Sequence, residues 1–341
     1  MDVEKITELL SCEKGVSGRE EELHSVLRDL LSENGEISTD GMGNFFCTIN
    51  KGAEGRRMLL DAHIDKIGLI VKYIDENGFV KCDSCGGMDW RVLSGEEVVI
   101  MGKDPVKGII CSIPPHLSSG DESKALDSDS LYIDTGFSGK NLKKKVSLGD
   151  RVLVEKPFAK LLSGCITAPA LDNRAGAAAI IAALKLLCER GYKGEVICAL
   201  TVQEEVGTRG AGPAVFKMKP DEAIVVDVSF ALSPGLKNEE CGKLGKGPMI
   251  GVSPTLDENI TNTLIKVCEE ENIPFQREVM GERTGTNADV ISINSGGIKT
   301  GLVSVPLRYM HTADEVVDTA DIENTAKLLA CYIEKGGCYD D

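Results

Sequence analysis

Residues 171–205 read LDNRAGAAAIIAALKLLCERGYKGEVICALTVQEE and carry the clearest fold signal in the chain. Within them, residues 175–188 are rich in Ala and Leu, which predicts a helix. Residues 196–202 form an apolar run, which predicts a strand buried on both faces. Outside this stretch the same patterns predict strands at 45–49, 58–62, 223–228 and 299–305, and helices at 256–271 and 319–334. Helices that alternate with apolar strands indicate an α/β fold, here a mixed sheet flanked by helices.

The N-terminal part of the chain adds one more predicted helix. Ser17 and Glu20 fit the capping box S-x-x-E, and apolar residues at 23–31 repeat at helical spacing. These signals predict a helix that begins after Ser17 and ends before the Asn-Gly pair at 34–35.

Between residues 67 and 163 the sequence changes character. Short β-like runs at 69–74, 98–101, 108–113 and 151–154 are separated by Gly, Pro and Asp turns, without a strong helix pattern. Residues 114–130 are polar and predict a mobile loop. A chain of 341 residues exceeds the usual size of one core. We therefore expect an α/β domain of residues 1–66 and 164–341, with a small, barrel-like all-β domain inserted at 67–163.

Charge and composition argue against several classes of protein. The net charge is -16, whereas nucleic-acid contacts come from Lys and Arg, so no nucleic-acid partner is expected. The longest apolar run is too short to span a bilayer, and the acidic start does not fit a signal peptide. A cytoplasmic protein with no membrane partner and 12 reduced cysteines is expected. Cys82 and Cys85 form one CxxC pair without a second pair at zinc-ribbon spacing, so we expect no metal there.

Two of the four histidines stand where ligands usually lie. His63 follows the apolar strand predicted at 58–62, and His311 follows the strand predicted at 299–305. In open α/β sheets, ligands bind beyond the carboxyl ends of strands. His24 lies inside the predicted N-terminal helix and His116 in the polar loop, so neither is expected to bind a ligand.

Carboxylates occur at comparable positions, near strand ends or helix starts: Asp65, Asp172, Glu204, Glu205 and Asp227. Taken singly, Asp172 is equally well explained as a helix N-cap, and the glutamate pair as a solvated turn. Taken together, they concentrate negative charge at one sheet edge, and such charge needs cations. Imidazole and carboxylate ligands suit Zn²⁺, Co²⁺ or Mn²⁺, and two such ions can activate water and polarise a carbonyl. A glutamate beside a ligand glutamate can serve as the general base.

In their order and spacing, these segments resemble the tetrahedral aminopeptidase family, which includes glutamyl, leucyl and lysyl aminopeptidases. The resemblance runs nearly end to end. Its motifs are AHID at 62–65 with IG at 67–68, ALDNR at 170–174, QEEVG at 203–207 with RGA at 209–211, VD at 226–227, and RYMH at 308–311. Each motif alone is weak, but the set is specific.

The resemblance implies a zinc-peptidase-like catalytic domain and two divalent ions per subunit. In such a site His63 and Asp227 hold one ion. Glu205 and His311 hold the other, and Asp172 bridges the two. The implied activity is the release of N-terminal residues from short peptides that have a free N-terminus.

The resemblance also implies roles for two further carboxylates and for the β domain. Glu204 is the general base for a water bridged between the ions, and Asp65 orients His63 from behind. The inserted β domain mediates dimerisation, and relatives commonly assemble from such dimers into hollow dodecamers. Two positions depart from the family: Asn287 replaces the aspartate of the usual Gly-Thr-Asp-Ala, and, as a milder change, Thr312 follows His311 where relatives often have Ser.

Other functions remain open at this point. A related di-metal hydrolase, such as a carboxypeptidase, a dipeptidase or a deacylase, would use the same ions on another amide. Some relatives have been labelled endoglucanases, but glycoside hydrolysis needs no histidine ligands, and Trp90 is the single tryptophan. A non-enzymatic assembly protein would not need an intact Glu204.

Overall fold

The fold is given by a computed structural model that describes residues 2–114 and 130–337. Its helices are α1 (Val3–Ser11), α2 (His24–Leu31), α3 (Gly139–Leu142), α4 (Leu171–Glu189), α5 (Ala211–Met218), α6 (Glu258–Glu270), α7 (Ala288–Ile291) and α8 (Thr319–Glu334). Its strands are β1 (Glu36–Thr39), β2 (Phe45–Ile49), β3 (Met58–His63), β4 (Gly68–Ile74), β5 (Val80–Cys85), β6 (Glu97–Met101), β7 (Pro105–Ser112), β8 (Leu131–Asp134), β9 (Arg151–Val154), β10 (Ala159–Lys160), β11 (Cys165–Ala168), β12 (Val196–Thr201), β13 (Glu222–Phe230), β14 (Met249–Val252), β15 (Gln276–Val279), β16 (Lys299–Leu307) and β17 (Glu315–Asp318). Most of the loop predicted at 114–130, and His116 with it, lies outside the described residues.

An eight-stranded sheet in the order β1-β2-β12-β3-β13-β16-β14-β15 forms the centre of the α/β part. Its four middle strands β12, β3, β13 and β16 are parallel neighbours. The flanking strands β2 and β14 run antiparallel to them. Every residue of β3 and β12 is buried, as expected for strands covered on both faces. The predicted mixed α/β fold is confirmed.

Helices cover both faces of this sheet. On one face, α4 and α8 pack with α1, α2 and α6 around a large apolar core. The Ala-rich sequence of α4 allows this close packing, and its residues 171–184 are all buried. On the other face, α5 and α7 enclose a second apolar cluster. None of the described helices combines the length and apolarity needed to cross a membrane.

Six strands between β3 and β10 close into a barrel in the order β4-β5-β8-β7-β6-β9. All neighbours in this barrel are antiparallel. Alternating apolar residues such as Val98 and Ile100 of β6 point into its core. The barrel thus has an apolar core of its own, separate from the two that cover the large sheet.

The predicted capping box at Ser17 is wrong. A 3₁₀ turn precedes α2, and the Ser17 hydroxyl donates to Asp65 Oδ2 at 2.7 Å instead of to a helix N–H. Glu20 accepts hydrogen bonds from the backbone N–H groups of Gly18 and Gln203. Both side chains therefore bind loops of the candidate site, and these tertiary contacts override the local capping pattern.

Candidate metal centre

The five predicted ligands converge at the carboxyl edge of the parallel strands. His63 is the last residue of β3, Asp227 lies in β13, and Asp172 is in the irregular first turn of α4. Glu205 follows β12, and His311 follows β16. Because these strands are parallel neighbours, their carboxyl ends meet on the same side of the sheet.

Two overlapping groups of possible ligands form at this edge. In the first, His63 Nε2 lies 3.2 Å from Asp172 Oδ1 and 3.7 Å from Asp227 Oδ1. In the second, His311 Nε2 lies 3.5 Å from Asp172 Oδ2 and 3.5 Å from Glu205 Oε2. Asp172 belongs to both groups and turns a different oxygen toward each histidine.

The remaining two predicted residues lie beside these groups. Glu204 Oε2 is 4.0 Å from His63 Nε2, and Glu204 is in neither group. Asp65 Oδ1 is 3.3 Å from His63 Nδ1, on the far side of the imidazole from Nε2. Asp65 also accepts hydrogen bonds from the backbone N–H groups of Glu204 at 3.0 Å and Glu205 at 3.2 Å. One buried carboxylate thus connects the histidine to the glutamate pair.

Two contacts that we did not predict from the sequence also shape the centre. The buried Glu315 accepts hydrogen bonds from the backbone N–H groups of Asp172 at 3.0 Å and His311 at 3.1 Å. Gly87, in the turn after β5 of the barrel, lies so close that a Cβ there would be 2.6 Å from His311 Nδ1. The sequence signals were the carboxylate four residues after His311 and the Gly-Gly pair at 86–87.

The electrostatics of the centre favour cations. Burial, and after it the charge of Asp172, raises the pKa of Glu205 to about 10. Burial raises the pKa of Glu204 to about 7 and that of Asp227 well above its usual value. For His63, burial opposes the charged form, but hydrogen bonds to Asp172 and Asp65 prevail and raise its pKa. Carboxylates crowded in this way repel one another, and divalent cations between them would offset that repulsion. The imidazole and carboxylate donor set therefore fits such ions.

Asn287, the departure from the family motif, lies next to the centre and outside both groups. Its Nδ2 donates to Asp61 Oδ2 at 2.8 Å and to Thr201 Oγ1 at 2.9 Å, and all three residues are buried. An aspartate at this position would bring two buried carboxylates into contact. The amide instead supplies a donor to Asp61.

The other residues considered from the sequence lie apart from the centre. His24 Nε2 is 3.1 Å from the Gly43 carbonyl oxygen, and its ring packs against Phe45. Cys82 and Cys85 are buried in β5, and burial raises the pKa of both thiols. Neither cysteine belongs to a ligand group among the described residues.

Overlapping groups of histidine and carboxylate side chains at the carboxyl edge of an α/β sheet are typical of metal-dependent hydrolases. The family model described as M42 glutamyl aminopeptidase matches residues 43–328 of this chain. A lysyl aminopeptidase from Pyrococcus furiosus is 32% identical over an alignment of 331 positions that covers 94% of each chain.

Solved structures of aminopeptidases are also similar to this chain. The TET aminopeptidase of the marine sediment archaeon Thaumarchaeota archaeon SCGC AB-539-E09 is similar with a TM-score of 0.93 and 29% identity, over 98% of this chain and 97% of that one. The TET1 peptidase of Pyrococcus horikoshii, which can assemble into a tetrahedron or a large octahedral shell, has a TM-score of 0.84 and 30% identity, over 96% and 98%. The chain therefore belongs to the M42 glutamyl aminopeptidase family, as its motifs predicted, and it is a peptide hydrolase.

Proposed function

We propose that this chain is a di-metal aminopeptidase that releases N-terminal residues from short peptides. The observation that carries the proposal is the position of Asp172. Its two carboxylate oxygens face two different histidines, 3.2 Å from His63 Nε2 and 3.5 Å from His311 Nε2. A carboxylate shared in this way is the natural bridge between two ions.

In the proposed enzyme, His63 and Asp227 would hold one ion, Glu205 and His311 would hold the other, and Asp172, which belongs to both groups, would serve both ions. Zn²⁺, Co²⁺ and Mn²⁺ all suit these donors. Such ions, when bound, polarise the carbonyl of the scissile peptide bond and lower the pKa of water. The rest of the chemistry falls to the side chains around them.

Glu204 is the proposed general base. It lies beside the ligands but belongs to neither ligand group, so its carboxylate is free to exchange protons. It takes a proton from the attacking water and delivers that proton to the nitrogen of the leaving amine. A general base at such a position contributes about 10²–10⁴-fold to the rate.

Asp65 is the proposed positioning residue. Its backbone carbonyl oxygen and its carboxylate Oδ1 both lie 3.3 Å from His63 Nδ1. Two acceptors at this nitrogen keep the proton on Nδ1 and leave Nε2 free to bind a metal ion. Its bonds to the backbone N–H groups of Glu204 and Glu205 fix the loop that carries the base and one ligand. Ser17 in turn donates to Asp65 and holds its carboxylate in place.

We further propose that the β segment at 67–163 is an inserted domain through which subunits pair and assemble toward a dodecamer. The assemblies formed by the Pyrococcus horikoshii relative support this proposal. Exposed apolar side chains on the barrel strands, such as Tyr73 of β4 and Ile109 of β7, also support it, because large apolar groups at a surface favour contacts with another chain. Sedimentation of the metal-loaded protein tests it, and a monomer at micromolar concentration would contradict it.

The activity is tested with aminoacyl p-nitroanilides in the presence of Zn²⁺, Co²⁺ or Mn²⁺. We expect metal-dependent release of p-nitroaniline and its loss when the α-amine is acetylated. Equal cleavage of acetylated substrates would reject the aminopeptidase and favour a deacylase or another di-metal amide hydrolase. Hydrolysis of cello-oligosaccharides in excess chelator would favour a glycoside hydrolase, since that chemistry needs two carboxylates and no metal.

A further inference from the structure

A carboxylate with no part in the proposed reaction lies in the same cleft as the metal centre. The cleft has a volume of about 1310 Å³, and Glu278 lines it together with the candidate ligands. Glu278 lies on β15, opposite Gly251 of the neighbouring strand β14. The side chain of Glu278 reaches past β14, since its two hydrogen-bond partners lie on strands on the other side of β14.

Two serines from those strands hold the Glu278 carboxylate. Ser304 of β16 donates to Oε2 at 2.8 Å, and Ser229 of β13 donates to Oε1. Both serines are neighbours of Asp227 in the sheet. Ser304 is its register partner on β16, and Ser229 lies two residues further along β13, on the same face. The carboxylate of Glu278 is therefore positioned next to the candidate ligand Asp227 along this face of the sheet.

The Glu278 carboxylate can accept further hydrogen bonds. An ionised carboxylate offers about four lone-pair sites, and the two serine hydroxyls use two of them. Within residues 2–114 and 130–337, no Lys, Arg or His forms an ion pair with Glu278. Burial raises its pKa, although the bonds from Ser229 and Ser304 oppose this effect. Glu278 is half-buried, and a cation that enters the cleft would compensate its charge.

The cleft also contains cationic side chains, but they are placed differently. Arg277 and Arg283 line the cleft and are exposed to solvent. Strand alternation points the side chain of Arg277 to the opposite face from that of Glu278. Exposed charges are screened by salt, whereas the half-buried carboxylate of Glu278 is screened less. We therefore expect the negative charge of Glu278 to act more strongly than the arginines on the side chain of a substrate bound in the cleft.

We propose that Glu278 gives the enzyme a preference for peptides that begin with Lys or Arg. The inference rests on the proposed aminopeptidase function, because that function places the N-terminal residue of the substrate beside the metal centre. The Glu278 carboxylate then pairs with the ammonium or guanidinium group of that residue. Leu302 and Met280, which line the cleft, pack against the aliphatic part of the same side chain.

The test compares lysyl and norleucyl p-nitroanilides, because their side chains have the same carbon chain and differ in the ammonium group. With the metal-loaded enzyme, we expect kcat/KM to be about tenfold or more higher for the lysyl substrate, as for a hydrogen bond to a charged group. In Glu278→Gln this ratio should fall toward one. Free lysine should likewise inhibit the wild-type enzyme about tenfold more tightly than free norleucine.

Glu282→Gln is the matched control, since it removes one exposed carboxylate from the same cleft. In this variant the ratio of kcat/KM for the lysyl and norleucyl substrates should stay within about twofold of the wild-type ratio, because an exposed charge is screened. A wild-type preference for leucyl or glutamyl substrates, or a ratio unchanged in Glu278→Gln, overturns the proposal. If Glu278→Gln does not fold, inhibition of the wild-type enzyme by free lysine and by free norleucine is the test. Equal inhibition by the two amino acids then overturns the proposal. If no aminoacyl anilide is hydrolysed at all, the proposed function itself fails.

Discussion

Glu204 and Glu205 are adjacent residues, and the proposed mechanism gives them different roles. Glu205 Oε2 lies 3.5 Å from His311 Nε2 within a ligand group, whereas Glu204 lies outside both groups. The same substitution, Glu to Gln, should therefore have two distinct consequences. Glu204→Gln should retain both metal ions and lose activity, and Glu205→Gln should lose metal.

The size of the Glu204→Gln effect follows from what the substitution removes. An amide fills nearly the same volume but accepts no proton from water, so the general-base contribution of about 10²–10⁴-fold should be lost from kcat. That range corresponds to about 3–5 kcal/mol of transition-state stabilisation. The fold should not weaken, because burial, and after it the charges of Asp65 and Asp172, disfavour the Glu204 carboxylate and raise its pKa.

The assay pairs initial rates on an aminoacyl p-nitroanilide with elemental analysis of the same dialysed protein, and thermal unfolding checks the fold. We expect Glu204→Gln to contain as much metal as the wild type and Glu205→Gln to contain less. A loss of less than about tenfold in kcat for Glu204→Gln would remove Glu204 from the role of base. Equal metal loss in both variants would make Glu204 a ligand and refute the assignment.

Three further predictions concern residues around the centre. Asp65→Asn should weaken metal binding by about 10–100-fold because His63 loses the carboxylate that orients it, and titration with a competing chelator measures this. Burial lowers the pKa of Lys66 from 10.5 to about 7, so between these pH values the unfolded chain binds more protons and stability rises with pH. Lys66→Met should therefore raise the melting temperature most near pH 7 and least near pH 10, and a melting difference that grows with pH would contradict this. Asn287→Asp replaces a donor to Asp61 by a second buried carboxylate and should cost about 1–3 kcal/mol in urea unfolding.

Much of the α/β fold could be predicted because its strands are fully apolar and its main helices are long. The strand predicted at 58–62 is observed as β3, and the helix predicted at 319–334 is α8. The helix α1 was not predicted, although its buried residues Val3, Ile6 and Leu10 lie at helical spacing, because we did not apply the spacing test to so short a segment. The capping box at Ser17 misled us because its hydroxyl bonds to Asp65, 48 residues away. Local patterns do not reveal such long-range partners.

The convergence of the candidate site was foreseeable for a similar reason. Parallel strands have their carboxyl ends on the same side of a sheet. Residues near those ends, such as His63 and Asp227, were therefore expected to meet there. Glu315 could not be assigned, because it contacts Asp172 and His311 through their backbone N–H groups, which leave no sequence motif. The contact between Gly87 and His311 could not be predicted either, because it depends on how the barrel is oriented relative to the sheet.

The most direct test of the shared-aspartate centre is anomalous diffraction from crystals soaked in Zn²⁺. The proposed function predicts two peaks about 3.5–4 Å apart. One peak should lie beside His63 and Asp227, the other beside Glu205 and His311, with one oxygen of Asp172 on each. A single peak, or two peaks that do not share Asp172, would contradict the proposed centre.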